Sequence, residues 1–294
     1  MVAPPSLVPD WIAVDWSATQ LRATLMGADG PSAHAHSADG IATLPPDAWE
    51  PALLRLIAPW LIAPLTQVVA CGMAGATLRP VPCAPVAADS LIRVQTCDNR
   101  IAVHLAPGLS QAAPADVMYR EAVQIAGALA VQSGFDGVIC LPGSHTKWAH
   151  ISAGEVVSFQ SFMTGEIFTL LSTQSVLQDT IAAQGFDAAA FDAALSDALS
   201  NPEKLAARLF SLRAQAVLGD PCPVAARSRL SGLLIGIELA AAKPYWLGQP
   251  VILIGAPDLC AAYGRALGSQ GVSPSQLGAA ACTLAGLSKL QGAL

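Results

Sequence analysis

Charge is scarce in this chain: Asp, Glu, Lys and Arg make up 12% of its 294 residues, and the formal net charge is −6. No basic cluster occurs, which argues against nucleic acid as a partner. Long apolar runs are missing as well. Hydrophobic residues reach 53%, but no uninterrupted stretch attains the ~18 residues of a membrane span. The nearest, residues 230–242, contains Glu238. The N-terminus lacks a basic region followed by an apolar one, so no signal peptide is expected. The seven cysteines show no CxxC spacing, which disfavours zinc and disulfide frameworks and points to a reducing cytoplasm. Absent too are G-x-S-x-G, Walker A, H-E-x-x-H and G-x-G-x-x-G. A serine hydrolase, P-loop NTPase, zinc protease and Rossmann dehydrogenase are thereby disfavoured.

What is present starts at Ile12-Ala13-Val14-Asp15-Trp16-Ser17-Ala18-Thr19-Gln20-Leu21-Arg22-Ala23-Thr24-Leu25. An apolar run ends on an acid, a short polar turn follows, and an alternating segment leads away. Read as strand, turn and strand, this places Asp15 at the mouth of a hairpin beside backbone N–H groups and Thr19. Phosphate chemistry needs such an arrangement, an acid for Mg²⁺ or its waters and uncharged donors for phosphate oxygens. An edge hairpin with a solvated Asp is the alternative. Residues 138–151, Val138-Ile139-Cys140-Leu141-Pro142-Gly143-Ser144-His145-Thr146-Lys147-Trp148-Ala149-His150-Ile151, repeat the layout. Two phosphate-loop hairpins in one chain suggest two similar domains facing each other across a nucleotide.

The length allows two domains, each with a substantial core. In the first half a helix is expected over 47–65 and a buried strand over 67–71, running into Gly72-Met73-Ala74-Gly75-Ala76. Residues 77–114 read as irregular with a strand at 91–95, and 116–132 as a helix with Asp116 as its N-cap. After a hinge at 133–137, the second half continues its hairpin with a strand at 156–159. Helices follow at 166–175, 187–199, 203–218 and 224–242, then a strand at 251–254 and helices at 258–267 and 276–287. The expected architecture is α/β, with domains at 1–134 and 135–294.

Several motifs carry chemistry, each with a structural alternative. Gly255-Ala256-Pro257 sits where a parallel strand ends and a helix begins; small residues there admit an adenine or ribose, or merely form a turn. Thr164, Gly165 and Glu166 open a helix that can hold an anion, although Glu166 also complements the helix dipole. His145 and Lys147 lie on the second hairpin, where Lys147 meets a phosphate or is simply solvated. Glu121 is a candidate base for an attacking hydroxyl, or a stabilising first-turn acid. Arg22, beside Asp15, is a candidate clamp for a substrate carboxylate.

Taken together, the segments resemble the 2-dehydro-3-deoxygalactonokinase family, a branch of the sugar-kinase, actin and heat-shock ATPase superfold. The likeness runs through Asp15-Trp16 to Arg22-Ala23, Cys71-Gly72-Met73 with Gly75, Val117-Met118 to Gln124 with Gly127, and Leu141-Pro142-Gly143-Ser144-His145-Thr146-Lys147-Trp148. It continues through Phe162-Met163-Thr164-Gly165-Glu166, Leu212-Arg213-Ala214, residues 230–236 and Gly255. The resemblance implies a two-domain actin-like ATPase (ribonuclease H-like) fold with a nucleotide cleft between the domains. It also implies MgATP-dependent phosphorylation of the 6-hydroxyl of 2-dehydro-3-deoxy-D-galactonate, in bacterial galactonate catabolism. Carried over, Asp15 (catalytic, and the Mg²⁺ ligand), Ser17 and Thr19 match the first phosphate loop. Gly143, Ser144 and His145, with Lys147, match the second, and Gly255 the adenosine side. Glu121 matches the base. Arg22, Gly72, Met73, Gly75, Arg120, Thr164 and Glu166 are the substrate-binding set. A sugar acid is the expected partner, with no nucleic acid or membrane, and a homodimer is open.

The chain departs from the family pattern in three places. Ser17 replaces the usual glycine after the tryptophan, where a Cβ can crowd a phosphate. Tyr119-Arg120-Glu121-Ala122 stands for arginine–glycine–glutamate–glutamate, and the segment after Gly75 lacks the family's tryptophan and acid. A degenerate sugar-acid or nucleotide sensor and a phosphoanhydride hydrolase are therefore the alternatives to a kinase.

Overall fold

The computed structural model describes residues 10–45, 47–72, 77–182, 184–219 and 222–294, and within them the chain divides into two units. The first comprises the segment up to Phe135, Ser152–Ser158 and Ala279–Leu294; the second comprises Asp136–Ile151 and Phe159–Gly278.

The first unit begins with β1 (Trp11–Trp16), β2 (Leu21–Gly27) and β3 (Gly30–Ser37), followed by α1 (Trp49–Ile57) and β4 (Thr66–Cys71). Next come β5 (Leu78–Pro80), β6 (Ile92–Val94), β7 (Ile101–Leu105), β8 (Gly108–Ala112), β9 (Ala115–Met118) and α2 (Arg120–Val131). One sheet has the order β3-β2-β1-β4-β7-β6, and β5-β8-β9 form a small separate one. β1 is antiparallel to β2 and parallel to β4, and β4 is parallel to β7. Both faces of β1 are covered, so it reads as a continuous apolar run. Ile12, Val14 and Trp16 pack with Leu53 and Ile57 of α1, while Trp11 and Ala13 share a cluster with Val123 of α2.

The second unit contains β10 (Gly137–Leu141), β11 (Thr146–Ser152) except its last residue, the second half of β12 (Glu155–Phe162), whose first half groups with the first unit, α3 (Thr164–Gln174), α4 (Ala188–Ser200) and α5 (Leu205–Leu218). It continues with α6 (Pro223–Ala241), α7 (Lys243–Trp246), β13 (Val251–Gly255), α8 (Pro257–Gly268) and β14 (Ser275–Gly278). Its sheet order is β12-β11-β10-β13-β14, with β10 antiparallel to β11 and parallel to β13. This repeats β3-β2-β1-β4-β7, and the repeat is the two-domain actin-like ATPase arrangement. Among the described residues no helix is long and apolar enough to cross a membrane.

Four expectations are corrected. The first helix stops at Ile57, where Ala58–Trp60 tighten into a 3₁₀ turn around Pro59; proline cannot continue the helical hydrogen bonds. Residues 77–114 hold strands β5, β7 and β8 besides the one expected near 91–95. Asp116 is not an N-cap but lies on β9, opposite Gln111, and the helix opens only at Arg120. Gln276 lies on β14, which adds a parallel edge before the last helix, α9 (Ala279–Gln291).

The sequence reading runs the second half to the C-terminus, whereas α9 groups with the first unit, against α2. Two glycines permit that approach. A Cβ on Gly127 would sit inside van der Waals contact of the Cys282 carbonyl, and one on Gly286 would do the same to that of Val123. Alanine normally gains about 1 kcal/mol over glycine within a helix. Here Gly127→Ala should instead lower stability by about 1–3 kcal/mol through overpacking, read as a lower urea midpoint. An unchanged or raised midpoint contradicts the close packing of α2 and α9.

Candidate active site

In the first unit, the β-register builds the site. Asp15 pairs with Arg22 on β2 and with Cys71 on β4, so all three share one sheet face at the C-terminal end of the parallel strands, the usual ligand edge. β4 then turns at Gly72, whose φ is +87°. A Cβ there would collide with the Trp16 carbonyl, so only glycine serves. Met73 and Gly75 lie outside the described residues.

Asp15 Oδ2 lies 3.6 Å from Arg22 Nη1 and 3.7 Å from Arg120 Nη1. These are ion pairs rather than hydrogen bonds. Oδ1 is buried and accepts no hydrogen bond from a described residue. Burial raises the Asp15 pKa above its usual value; Arg120 and Arg22 oppose the rise, and Glu121 adds to it. Burial lowers the pKa of Arg120, yet Asp15 and Glu121 outweigh it and the net shift is upward. Glu121 occupies the first turn of α2, where its Oε2 accepts the Tyr119 N–H at 3.4 Å. Asp15, Arg22, Arg120 and Glu121 thus form one group, as the sequence suggests.

The turn after β1 is closed by Ser17. Its hydroxyl donates to the Gln20 carbonyl at 3.1 Å and accepts from the Gln20 N–H at 3.0 Å. Ala153 alone among the described non-glycine residues has positive φ, so the backbone at position 17 does not require glycine. Thr19 is exposed on this turn. The Ala18–Thr19 backbone lies so close to Gly40 that a Cβ on Gly40 would overlap it.

In the second unit, Gly143, Ser144 and His145 join β10 to β11, with open space over Gly143 and the other two exposed. The start of α3 rests on this loop. The Glu166 N–H donates to the Ser144 carbonyl at 3.0 Å, and His145 Nε2 pairs with Glu166 Oε2 at 2.5 Å. A Cβ on Gly165 would overlap the Gly143 carbonyl, so a side chain there would push the helix off. Gly255 ends β13 beside the same loop, its would-be Cβ 3.0 Å from the Pro142 carbonyl. Lys147 is buried rather than solvated, and its Nζ donates to Ser161 Oγ at 2.5 Å.

The Thr164 hydroxyl, expected to face a substrate, donates instead to Glu238 Oε2. Glu238 also accepts from Trp148 Nε1 and from the Tyr263 hydroxyl, each at 2.8 Å, and Thr146 Oγ1 lies 2.9 Å from that hydroxyl. Sequence reasoning passed over Glu238, noting it only as a charge interrupting an apolar stretch. An acid inside so apolar a helix was the available signal.

Burial raises the Glu238 pKa from 4.5 to about 7, against the lowering effect of its hydrogen bonds from Thr164, Trp148 and Tyr263. The native state therefore holds a proton that the unfolded chain releases. The associated stability is present below pH 4.5 and is lost as the pH rises through 7. Glu238→Gln does not titrate. The stability of the wild type relative to Glu238→Gln should thus fall by about 3 kcal/mol between pH 4.5 and 7 in urea denaturation. A pH-independent difference contradicts this environment.

The comparisons with known proteins agree with this geometry. A family model described as 2-keto-3-deoxy-galactonokinase matches residues 15–290. A Rhizobium meliloti (strain 1021) protein assigned as the 2-dehydro-3-deoxygalactonokinase DgoK1 is 33% identical over 294 residues, covering 95% of each chain. The 2-dehydro-3-deoxygalactonokinase of Escherichia coli (strain K12) is 32% identical over 270 residues, 89% of this chain and 90% of that one. A crystal structure from Sinorhizobium meliloti, assigned to the same activity, superposes with a TM-score of 0.89 at 31% identity, over 97% of this chain and 96% of the other. The chain belongs to the 2-keto-3-deoxy-galactonokinase family.

Proposed function

We propose that this chain transfers the γ-phosphoryl group of ATP to the 6-hydroxyl of 2-dehydro-3-deoxy-D-galactonate. Asp15 carries the reading at the level of residues. It is a half-buried carboxylate at a strand end, with two arginines near Oδ2, and its Oδ1 has no hydrogen-bond partner among the described residues. A buried orphan oxygen calls for a ligand, and a hard oxygen donor suits Mg²⁺, which commonly takes one or two carboxylates plus phosphate oxygens and waters. Among the described residues no cluster of three or more His, Cys, Asp or Glu is placed to hold a metal, and a nucleotide-assisted site needs none. Bound there, Mg²⁺ neutralises phosphate charge.

The chain's own residues supply the rest. Glu121 accepts the proton of the 6-hydroxyl, whose oxygen bonds to the γ-phosphorus as the bond to ADP breaks. Arg22, half exposed beside Asp15, clamps the substrate carboxylate. Arg120 supplies a cation close to where the family's arginine would stand. In the second unit, the 143–145 loop and the start of α3 hold nucleotide phosphates, and Gly255 ends β13 beside that loop. The Ser17 hydroxyl is occupied in closing the turn, so phosphate oxygens are held by other donors. All seven cysteines are unpaired, which supports action in a reducing compartment such as the cytoplasm.

In a coupled ADP-release assay with the sugar acid, Asp15→Asn should lower kcat by about 10³-fold or more while retaining the wild-type circular dichroism. Activity within about tenfold of wild type contradicts the role given to Asp15. Arg120→Met removes a cation that favours the Asp15 carboxylate. Asp15 then protonates at higher pH, and the acid limb of the kcat/KM profile should move upward. An unmoved or lowered limb shows that Asp15 does not set it.

A further inference from the structure

We propose that Glu238 is the positioning residue of the 143–145 loop, acting from the core through Thr164, Trp148 and Tyr263. The inference rests on reading that loop as the nucleotide-phosphate loop. Glu238 lies on α6 and is almost fully buried, and it accepts from three uncharged donors on three different elements. Two of those elements leave or contact the loop directly. β11 departs from it at Thr146, and its third residue, Trp148, donates to Oε1. α3 opens at Thr164, donating to Oε2, and its next residues seat Gly165 on the Gly143 carbonyl and bond Glu166 to Ser144. Tyr263 of α8 supplies the third donor and couples Thr146, the first residue after the loop, to the same carboxylate.

One acceptor group therefore sets the register of both the outgoing strand and the helix that borders the loop. A carboxylate suits the task because all of its lone pairs accept. An amide serves Trp148 with its oxygen but turns its NH₂ on Thr164 and Tyr263, whose hydroxyls must then accept rather than donate, so both of those bonds are reversed. The titratable groups facing Glu238 are Tyr263 on α8 and Cys140 on β10, and Cys260 of α8 lies beyond, against Cys140. Burial raises the pKa of each, so each stays neutral where Glu238 titrates.

The test is two-substrate kinetics on Glu238→Gln, Thr164→Val and the double variant. The wild-type KM for ATP should rise about tenfold or more in Glu238→Gln, while the KM for the sugar acid stays within about twofold. Thr164→Val should act in the same direction, and the double variant should be no worse than the worse single one. As the pH falls below 7, the wild-type KM for ATP should approach that of Glu238→Gln. An unchanged KM for ATP, equal losses for both substrates or additive effects overturn the proposal. If Glu238→Gln does not fold, Tyr263→Phe keeps the carboxylate and should raise the KM for ATP less steeply; no change there and in Thr164→Val overturns it equally. An active wild type with indifferent variants removes this inference alone, whereas a wild type that releases no ADP removes the kinase reading beneath it as well.

Discussion

Both units depend on the same steric constraint, a glycine at the end of a parallel strand pressed against the backbone that leaves the neighbouring hairpin. In the first unit Gly72 abuts the Trp16 carbonyl, and in the second Gly255 abuts that of Pro142. The parallel registers make these positions equivalent, since β1 runs beside β4 as β10 runs beside β13. A Cβ at Gly72 would wedge the paired strand ends apart, whereas one at Gly255 would make a tight contact that a shift of a few tenths of an ångström relieves. Asp15 sits one residue before the first contact, and the 143–145 loop starts one residue after the second.

Charge is then added sparingly to a largely apolar frame. Burying Asp15 works against its ionisation, and Arg22 and Arg120 work for it. Its Oδ1 is buried and has no hydrogen-bond partner among the described residues. Arg120 stands on the first residue of α2, so the departure from the family's arginine–glycine–glutamate–glutamate string still supplies a cation to the site. Glu238 represents the other solution, an acid with only neutral donors, which remains partly protonated near pH 7. One carboxylate is flanked by two arginines, the other by three neutral donors.

Much of this was legible in the sequence. The two hairpins stood out because the layout of an apolar run, a polar turn and an outgoing strand occurs twice, although each alone also fits an ordinary hairpin. The family strings then linked Asp15, Arg22 and the second loop to a single activity. Secondary structure failed where local pattern and tertiary pairing disagree. Residues 116–118 look helical by periodicity but are captured by β8, and residues 275–278 are short and polar yet complete a parallel edge on β13. The helix expected over 47–65 ran through Pro59, a stop signal that was present and underweighted. Thr164 is expected from the sequence to meet the substrate, but its hydroxyl donates inward to Glu238, 74 residues away in sequence. No local window contains that pair.

Phosphoryl transfer to a sugar-acid hydroxyl is the reaction assigned to these residues. Phosphorus NMR of the chain incubated with MgATP and 2-dehydro-3-deoxy-D-galactonate tests it most directly. The account predicts a phosphomonoester coupled to the C6 protons, formed in step with ADP and dependent on the sugar acid. ADP appearing with inorganic phosphate alone, or no consumption of ATP at all, would contradict it.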